Sequence, residues 1–231
     1  MNPSGTPTHN KSNLAQLAYE GIRRMLFHNE IVPGQKISYR GLAEKLDMSL
    51  TPVIQALKKL EHQGLVHYET NRGYFTAPMS VQEVEEIYEL REIIEISLLP
   101  SVLYNLNNAG IGKLRELLVD DESISRENFL NMKLLKDREF HLEIAAISGR
   151  KTQIQMLQYL FDMLYLKYRG SLLFVASEKT VGSLHNDLLA AFESRDLTRC
   201  RKAMKNHFKI IKKHALDALK NMMAEKQRLI V

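Results

Sequence analysis

Apolar positions recur every three to four residues over most of the 231-residue chain and alternate in only one short region. From Asn13, the residues Leu14, Leu17, Ile22, Met25 and Leu26 share one helical side, and the pattern stops before "VPGQ", where Pro33 and Gly34 signal a turn. Ser38 caps a short helix ending near Leu46, Asp47 occupies a turn, and Ser49 caps a second helix that runs to about His62 and stops at Gly64. "LVHYE" and "YFTAP" then read as two short strands around "TNRG", a hairpin whose tip presents Arg72. Helix, helix-turn-helix and hairpin in this order describe a winged helix-turn-helix over residues 13–78. Residues 1–12, "MNPSGTPTHNKS", hold one apolar residue, Met1, and are expected to form a flexible tail.

After "APMSVQ" the strand signals end. Amphipathic helices are predicted at about 81–107, 111–119, 127–148, 151–176, 179–194 and 196–226, with Pro100 expected to kink or divide the first. The links "ISGRK" and "ESRDL" are short, as between antiparallel helices. The fold class expected is mainly α: the winged helix-turn-helix with its small hairpin, then an all-helical bundle over residues 79–231.

One of these stripes carries polar groups where apolar ones belong. Leu130, Leu134, Asp137, His141 and Ile144 are spaced four, three, four and three, so an acid and a histidine stand on a core face. Two later helices repeat the fault. His185 shares a face with Leu188, Leu189 and Phe192, and His207 shares one with Ala203, Met204, Ile210 and Ile211. A single histidine on such a stripe is ordinarily a hydrogen-bonded core residue. Three imidazoles and a carboxylate buried in one bundle are costly unless a shared positive charge satisfies them, and a divalent cation does so. Asp137 and His141, one turn apart and about 5–6 Å at Cβ, can reach one ion through bonds of about 2 Å. Such a donor set suits Zn, Ni, Fe, Co or Mn better than Mg or Ca, zinc and nickel foremost, at one divalent ion per chain. His214 lies about 10 Å farther along its helix than His207, too far to share that ion. His9, His28, His62 and His67 belong to the tail and first domain.

Composition adds little to this picture. A formal charge of +5 and a pI near 9.2 permit a polyanionic partner without requiring one. The single cysteine, Cys200, forms no internal disulfide and reads as a small apolar residue, and no apolar run has the length of a membrane span. A cytoplasmic protein without membrane association is expected.

"GLAEKLDMSLTPVIQALKKLEHQGLVHYETNRGYFTAPMS", followed by "IYELREIIE", resembles the GntR family of bacterial transcription regulators, in the FadR branch with a helical FCD effector domain. The likeness runs from about Leu14 to the C-terminus. In metal-binding FCD domains an Asp and a His one turn apart and two downstream His hold the ion, and Asp137, His141, His185 and His207 match that order. The resemblance further implies a homodimer, a double-stranded DNA operator and a small organic acid effector that reaches the metal. Arg91 matches a family arginine that often faces the effector cavity, although Glu95, one turn on, would equally make an ordinary surface ion pair with it. Tyr88 and Asn186 are further candidates for effector hydrogen bonds, against a reading as packing or solvated side chains.

The recognition helix departs from the family. "SLTPVIQAL" has Leu50 and Ile54 where the family's common text has arginines, and Gln55 where it has an acid. An arginine offers a rigid fork for guanine or phosphate, whereas aliphatic groups offer only contact, for example with thymine methyls. Arg40 matches a DNA-contacting family arginine. With Lys36, Lys45, Lys58, Lys59 and Arg72 it is expected to form a basic face on phosphates, with Thr51 and Gln55 as base readers. The expected function is a DNA-binding, ligand-responsive transcription regulator and not an enzyme. Its alternatives are an interaction module whose DNA readout has degenerated, and a metal-dependent hydrolase using the imidazole cluster.

Overall fold

The computed structural model describes residues 9–118, 126–168 and 178–228. The predicted tail up to residue 8 and the end of the helix expected to reach 176 lie outside them, as do the side chains of Leu130 and Leu134. The chain divides into two compact units, with a boundary between Met79 and Ser80 and with the described residues 165–168 grouped with the first.

The first unit runs α1 (His9–Phe27), β1 (Lys36–Ile37), α2 (Tyr39–Lys45), α3 (Leu50–His62), β2 (Val66–Glu69) and β3 (Gly73–Thr76). Its first helix starts at His9, earlier than Asn13. The buried stripe of α1 is Ala18, Tyr19, Ile22, Met25 and Leu26, packed on α3, while Leu14 and Leu17 are exposed. Leu17 falls off this stripe because it stands five residues before Ile22, about 140° round the helix. Ser38 Oγ accepts from Gly41 N at 3.1 Å to cap α2, Asp47 turns the chain at φ 51°, and Gly64 ends α3 at φ 71°. Ser49 precedes α3 as expected but makes no side-chain cap bond. From α3, Val53, Ala56, Leu57 and Leu60 enter the core.

Sequence periodicity anticipated β2 and β3 but not β1, whose two residues are too few to alternate. The sheet is antiparallel in the order β1-β3-β2, with Ile37 opposite Tyr74 and His67 opposite Phe75. Buried Thr76 ties the hairpin to the loop before β1, donating to Val32 O at 2.6 Å and accepting from Gln35 N at 2.8 Å.

The second unit is helical throughout its described residues: α4 (Val81–Asn105), α5 (Asn108–Leu117), α6 (Arg126–Ile147), α7 (Lys151–Asp162), α8 (Glu178–Ser194) and α9 (Leu197–Arg228). Pro100 does not divide α4, which continues through it. The expected long helix after Lys151 instead changes to a π-helical turn at Met163–Lys167. Helix α4 packs against α6, α7 and α9; α5 packs against α6 and α8, and α8 against α9. Cys200 is fully buried, and burial pushes its thiol up to about 11, so it behaves as the apolar residue expected. Among the described residues no helix is long and apolar enough to cross a membrane.

Candidate metal centre and nucleic-acid interface

The four faulted positions of the sequence meet inside the second unit. Helix α6 supplies Asp137 and His141, α8 supplies His185, and α9 supplies His207, all buried among core residues such as Phe140, Phe161 and Phe208. Ring centroids of the three imidazoles stand 4.9–5.3 Å apart. One nitrogen from each lies within 4.8 Å of the others. Asp137 Oδ1 is 3.2 Å from His185 Nε2 and 3.8 Å from His141 Nε2. Among the described residues, His141 Nε2, His185 Nε2 and both ring nitrogens of His207 have no hydrogen-bond partner although they are buried.

Unpartnered buried nitrogens are rare and costly. One nitrogen from each of the three imidazoles, beside one carboxylate, fits a transition-metal ion, which would take three lone pairs and a carboxylate oxygen through bonds of about 2 Å. The electrostatics agree with that use. Burial disfavours charge on His185 and keeps it neutral, the form that donates a lone pair, even though Asp137 pulls the other way. For His207 burial acts alike and the neighbouring imidazoles add to it, so its pKa lies well below the ordinary histidine value. Burial would raise the Asp137 carboxyl, but His185, His141 and Arg91 outweigh it and hold the group ionised.

Sequence reasoning missed one member of this cluster. Glu95 on α4 is 1% exposed, with Oε1 3.1 Å from Arg91 Nε and Oε2 2.5 Å from His141 Nδ1. The expected Arg91–Glu95 pair therefore exists, but in the core and not on the surface. The usable signal was the apolar stripe on which both residues lie, Val84, Tyr88, Leu98 and Val102. Tyr88 is buried there too, and burial keeps its phenol protonated. Asn186 is exposed and does not join the group, because it stands one residue, about 100°, past His185.

The first unit carries the candidate nucleic-acid face. Leu50, Thr51, Gln55 and Lys58 are exposed along α3, and Arg40 is exposed at the start of α2. Ile54 is half-buried in a groove of about 710 Å³ between α3 and the hairpin, which Lys36, Tyr39, Lys58, Tyr68 and Arg72 also line. Tyr39 and Tyr68 were not singled out in the sequence, where an isolated tyrosine gives no sign of exposure. Three of the expected phosphate contacts also make contacts within the unit. Lys59 stands 3.9 Å over the Tyr19 ring and donates to Gln16, both on α1, and Lys45 pairs with Glu30 at 2.6 Å. Arg72 lies over Phe75 and pairs with Glu69 at the hairpin tip.

The neutral, buried histidines set a pH response for protein stripped of metal. The folded state binds fewer protons than the unfolded state below the ordinary histidine pKa of about 6.5. Stability is thus complete above that value and declines as the pH falls through it. Each such group contributes a slope approaching about 1.4 kcal/mol per pH unit. Urea midpoints in chelator between pH 8 and 5 should fall on acidification, and His207→Leu should flatten the decline by roughly one group's share.

Comparison with known proteins follows the same division. Residues 14–76 match the bacterial regulatory proteins of the gntR family, and residues 86–209 match the FCD domain. The chain is 26% identical over 206 residues to an HTH-type transcriptional regulator from an unstable DNA locus of Streptomyces ambofaciens, covering 88% of this chain and 85% of the relative. It is 25% identical over 197 residues to the transcriptional repressor GlaR of Escherichia coli, covering 82% and 90%. Among solved structures it superposes on E. coli McbR/YncC with a TM-score of 0.74 at 21% identity, covering 91% of this chain and 98% of that one. A GntR family member from Pseudomonas syringae gives a TM-score of 0.55 at 20% identity, covering 96% and 100%. With one family matched on the winged helix-turn-helix and the other on the helical bundle, the chain belongs to the GntR family of DNA-binding transcriptional regulators, in the branch whose second domain is an FCD domain.

Proposed function

We propose that this regulator senses a small organic acid through a transition-metal ion held by Asp137, His141, His185 and His207, and that the liganded bundle alters how a homodimer holds its operator. The observation that carries the reading is the set of unpartnered imidazole nitrogens gathered beside Asp137 in the core. When bound, the ion supplies a Lewis-acidic position for an anion. The charge count favours a carboxylate there. Arg91 balances Glu95, and a divalent ion against Asp137 leaves one positive charge that a monoanion neutralises. Tyr88, close enough for its ring to meet the Arg91 guanidinium, is the remaining buried candidate to hydrogen-bond the acid. To regulate, the acid must prefer one arrangement of the two DNA heads over the other.

The dimer reading rests on an unpartnered stripe of α4, where Leu90, Ile93 and Tyr104 are 48%, 65% and 90% exposed. Helix α7 lies beside the same stretch, with Gln153 donating to Ser97 and Arg150 to Ser101, and adds exposed Met156 and Tyr159. A surface of this kind fits a second copy better than water. At the DNA head, Leu50 is exposed where it can meet base edges, and phosphate anchoring falls to Arg40, Lys36 and Lys58, with Arg72 joining them by exchanging Glu69 for a phosphate.

Four outcomes are expected. Purified protein should carry about one transition-metal ion per chain by elemental analysis, and a His141→Ala, His185→Ala variant should lose it; stoichiometric metal in that variant would defeat the ligand assignment. Sedimentation at micromolar concentration should show a dimer that Ile93→Glu with Tyr104→Glu converts to monomer, and a monomeric wild type would contradict the pairing. Selection from random duplexes should return sites richer in A and T at the readout positions than guanine-reading arginines would choose. Arg40→Ala and Arg72→Ala should weaken binding almost equally across sequences and lower the salt slope by about one unit each. Absence of any sequence preference would favour an interaction module with degenerate readout.

A further inference from the structure

Glu95 is used neither by the DNA head nor by the proposed ligand set, yet it is among the most enclosed charged groups of the bundle. Arg91 donates to its Oε1 through Nε at 3.1 Å, and Nη2 stands at the same distance from that oxygen as an ion pair without hydrogen-bond geometry. Its Oε2 lies 2.5 Å from His141 Nδ1. The guanidinium is itself held in place, with the rings of Phe161, Phe208 and Tyr88 centred 4.0, 5.3 and 5.6 Å from its central carbon.

The protons in this chain follow from elementary donor and acceptor rules. A guanidinium stays charged at any ordinary pH, and its buried partner must balance it, so Glu95 is a carboxylate and can only accept. His141 Nδ1 therefore carries a hydrogen, which leaves Nε2 as the ring nitrogen able to offer a lone pair. Nε2 is the nitrogen facing Asp137 Oδ1 and lacking a hydrogen-bond partner.

We infer that Glu95 is a positioning residue for the metal centre: it locks His141 in the Nδ1–H tautomer with Nε2 aimed at the ion. Arg91 acts through Glu95, fixing its rotamer and charge. A carboxylate that receives the second N–H of a ligating imidazole both orients the ring and raises its basicity. This inference rests on the metal reading above, but the tautomer it requires is a property of the metal-free chain as well.

Glu95→Gln tests it with a specific sign. Arg91 would take the amide oxygen and leave the amide nitrogen facing His141 Nδ1, which must then accept. The imidazole would turn to its Nε2–H tautomer, which cannot ligate through Nε2 without first losing that proton. Two measurements on the full chain read this out: the tautomer of His141 from its ring ¹⁵N shifts in metal-free protein, and zinc affinity by competition with a chromogenic chelator. Wild type should show Nδ1–H, and Glu95→Gln should show Nε2–H with zinc affinity about 10–100-fold lower. If that variant does not fold, Arg91→Met with Glu95→Leu replaces the whole pair by apolar groups, a change that buried ion pairs often tolerate. It should lose the Nδ1–H preference and a similar share of affinity. A folded variant of either kind with the wild-type tautomer and wild-type zinc affinity overturns the inference. Wild-type protein that binds no zinc overturns the metal reading instead, and the tautomer in metal-free protein then decides the role of Glu95 alone.

Discussion

The bundle of the second unit is organised around a desolvated polar cluster that its own side chains only half satisfy. Helices α4, α6, α8 and α9 together bury two carboxylates, a guanidinium and three imidazoles in an otherwise apolar core. Desolvation of such groups costs several kcal/mol for each charge unless partners compensate it. Along one edge the compensation is internal, from Arg91 through Glu95 to His141 Nδ1. At the centre it is not, because among the described residues the remaining imidazole nitrogens have no hydrogen-bond partner and stand near one another and Asp137. An ion there satisfies the lone pairs and the carboxylate together. It would also join three helices at one point, so that metal binding and bundle stability become the same free energy.

In the proposed reading that linkage would give the site its regulatory value. An anion reaching the ion would touch groups delivered by three separate helices, and any preference it had among their arrangements would become a preference among shapes of the whole unit. The winged helix-turn-helix needs no chemistry of its own in this scheme. In the proposed reading its task is to bind phosphates and read bases, and the side chains proposed for those tasks differ in exposure. Arg40 and Lys58 extend outward, Lys59 braces α1 through Tyr19, and Ile54 helps to form the groove between α3 and the hairpin. Of the two aliphatic departures in the recognition helix, Leu50 is thus the exposed one.

Much of this was legible from spacing. Asp137, His141, His185 and His207 declared themselves because each interrupts an apolar stripe of regular helical period, and the structure buries all four. Glu95 was readable by the same criterion, yet an Arg and a Glu four residues apart are so common on helix surfaces that the pair suggested solvent. Only the burial of Val84, Tyr88, Leu98 and Val102 on the same stripe decides otherwise. Asn186 misled through adjacency to His185, since neighbours in sequence point about 100° apart on a helix. The two-residue β1 and the π-helical turn at Met163–Lys167 left no periodic trace, because both are shorter than the window in which a period can be recognised. Engagement of Lys45 by Glu30 and of Lys59 by Tyr19 depends on contacts 15 and 40 residues away in sequence, which local pattern does not carry.

The most direct test of a metal-organised core is the thermal stability of the full chain after exhaustive chelation, followed as zinc or nickel is returned at controlled free concentration. An ion that binds only the folded bundle must raise the melting temperature progressively once its free concentration exceeds the dissociation constant, by about 2.7 kcal/mol of stability at a hundredfold excess over that constant. A melting temperature that stays at its chelated value for both metals into the tens of micromolar would contradict the claim that these imidazoles exist to hold an ion.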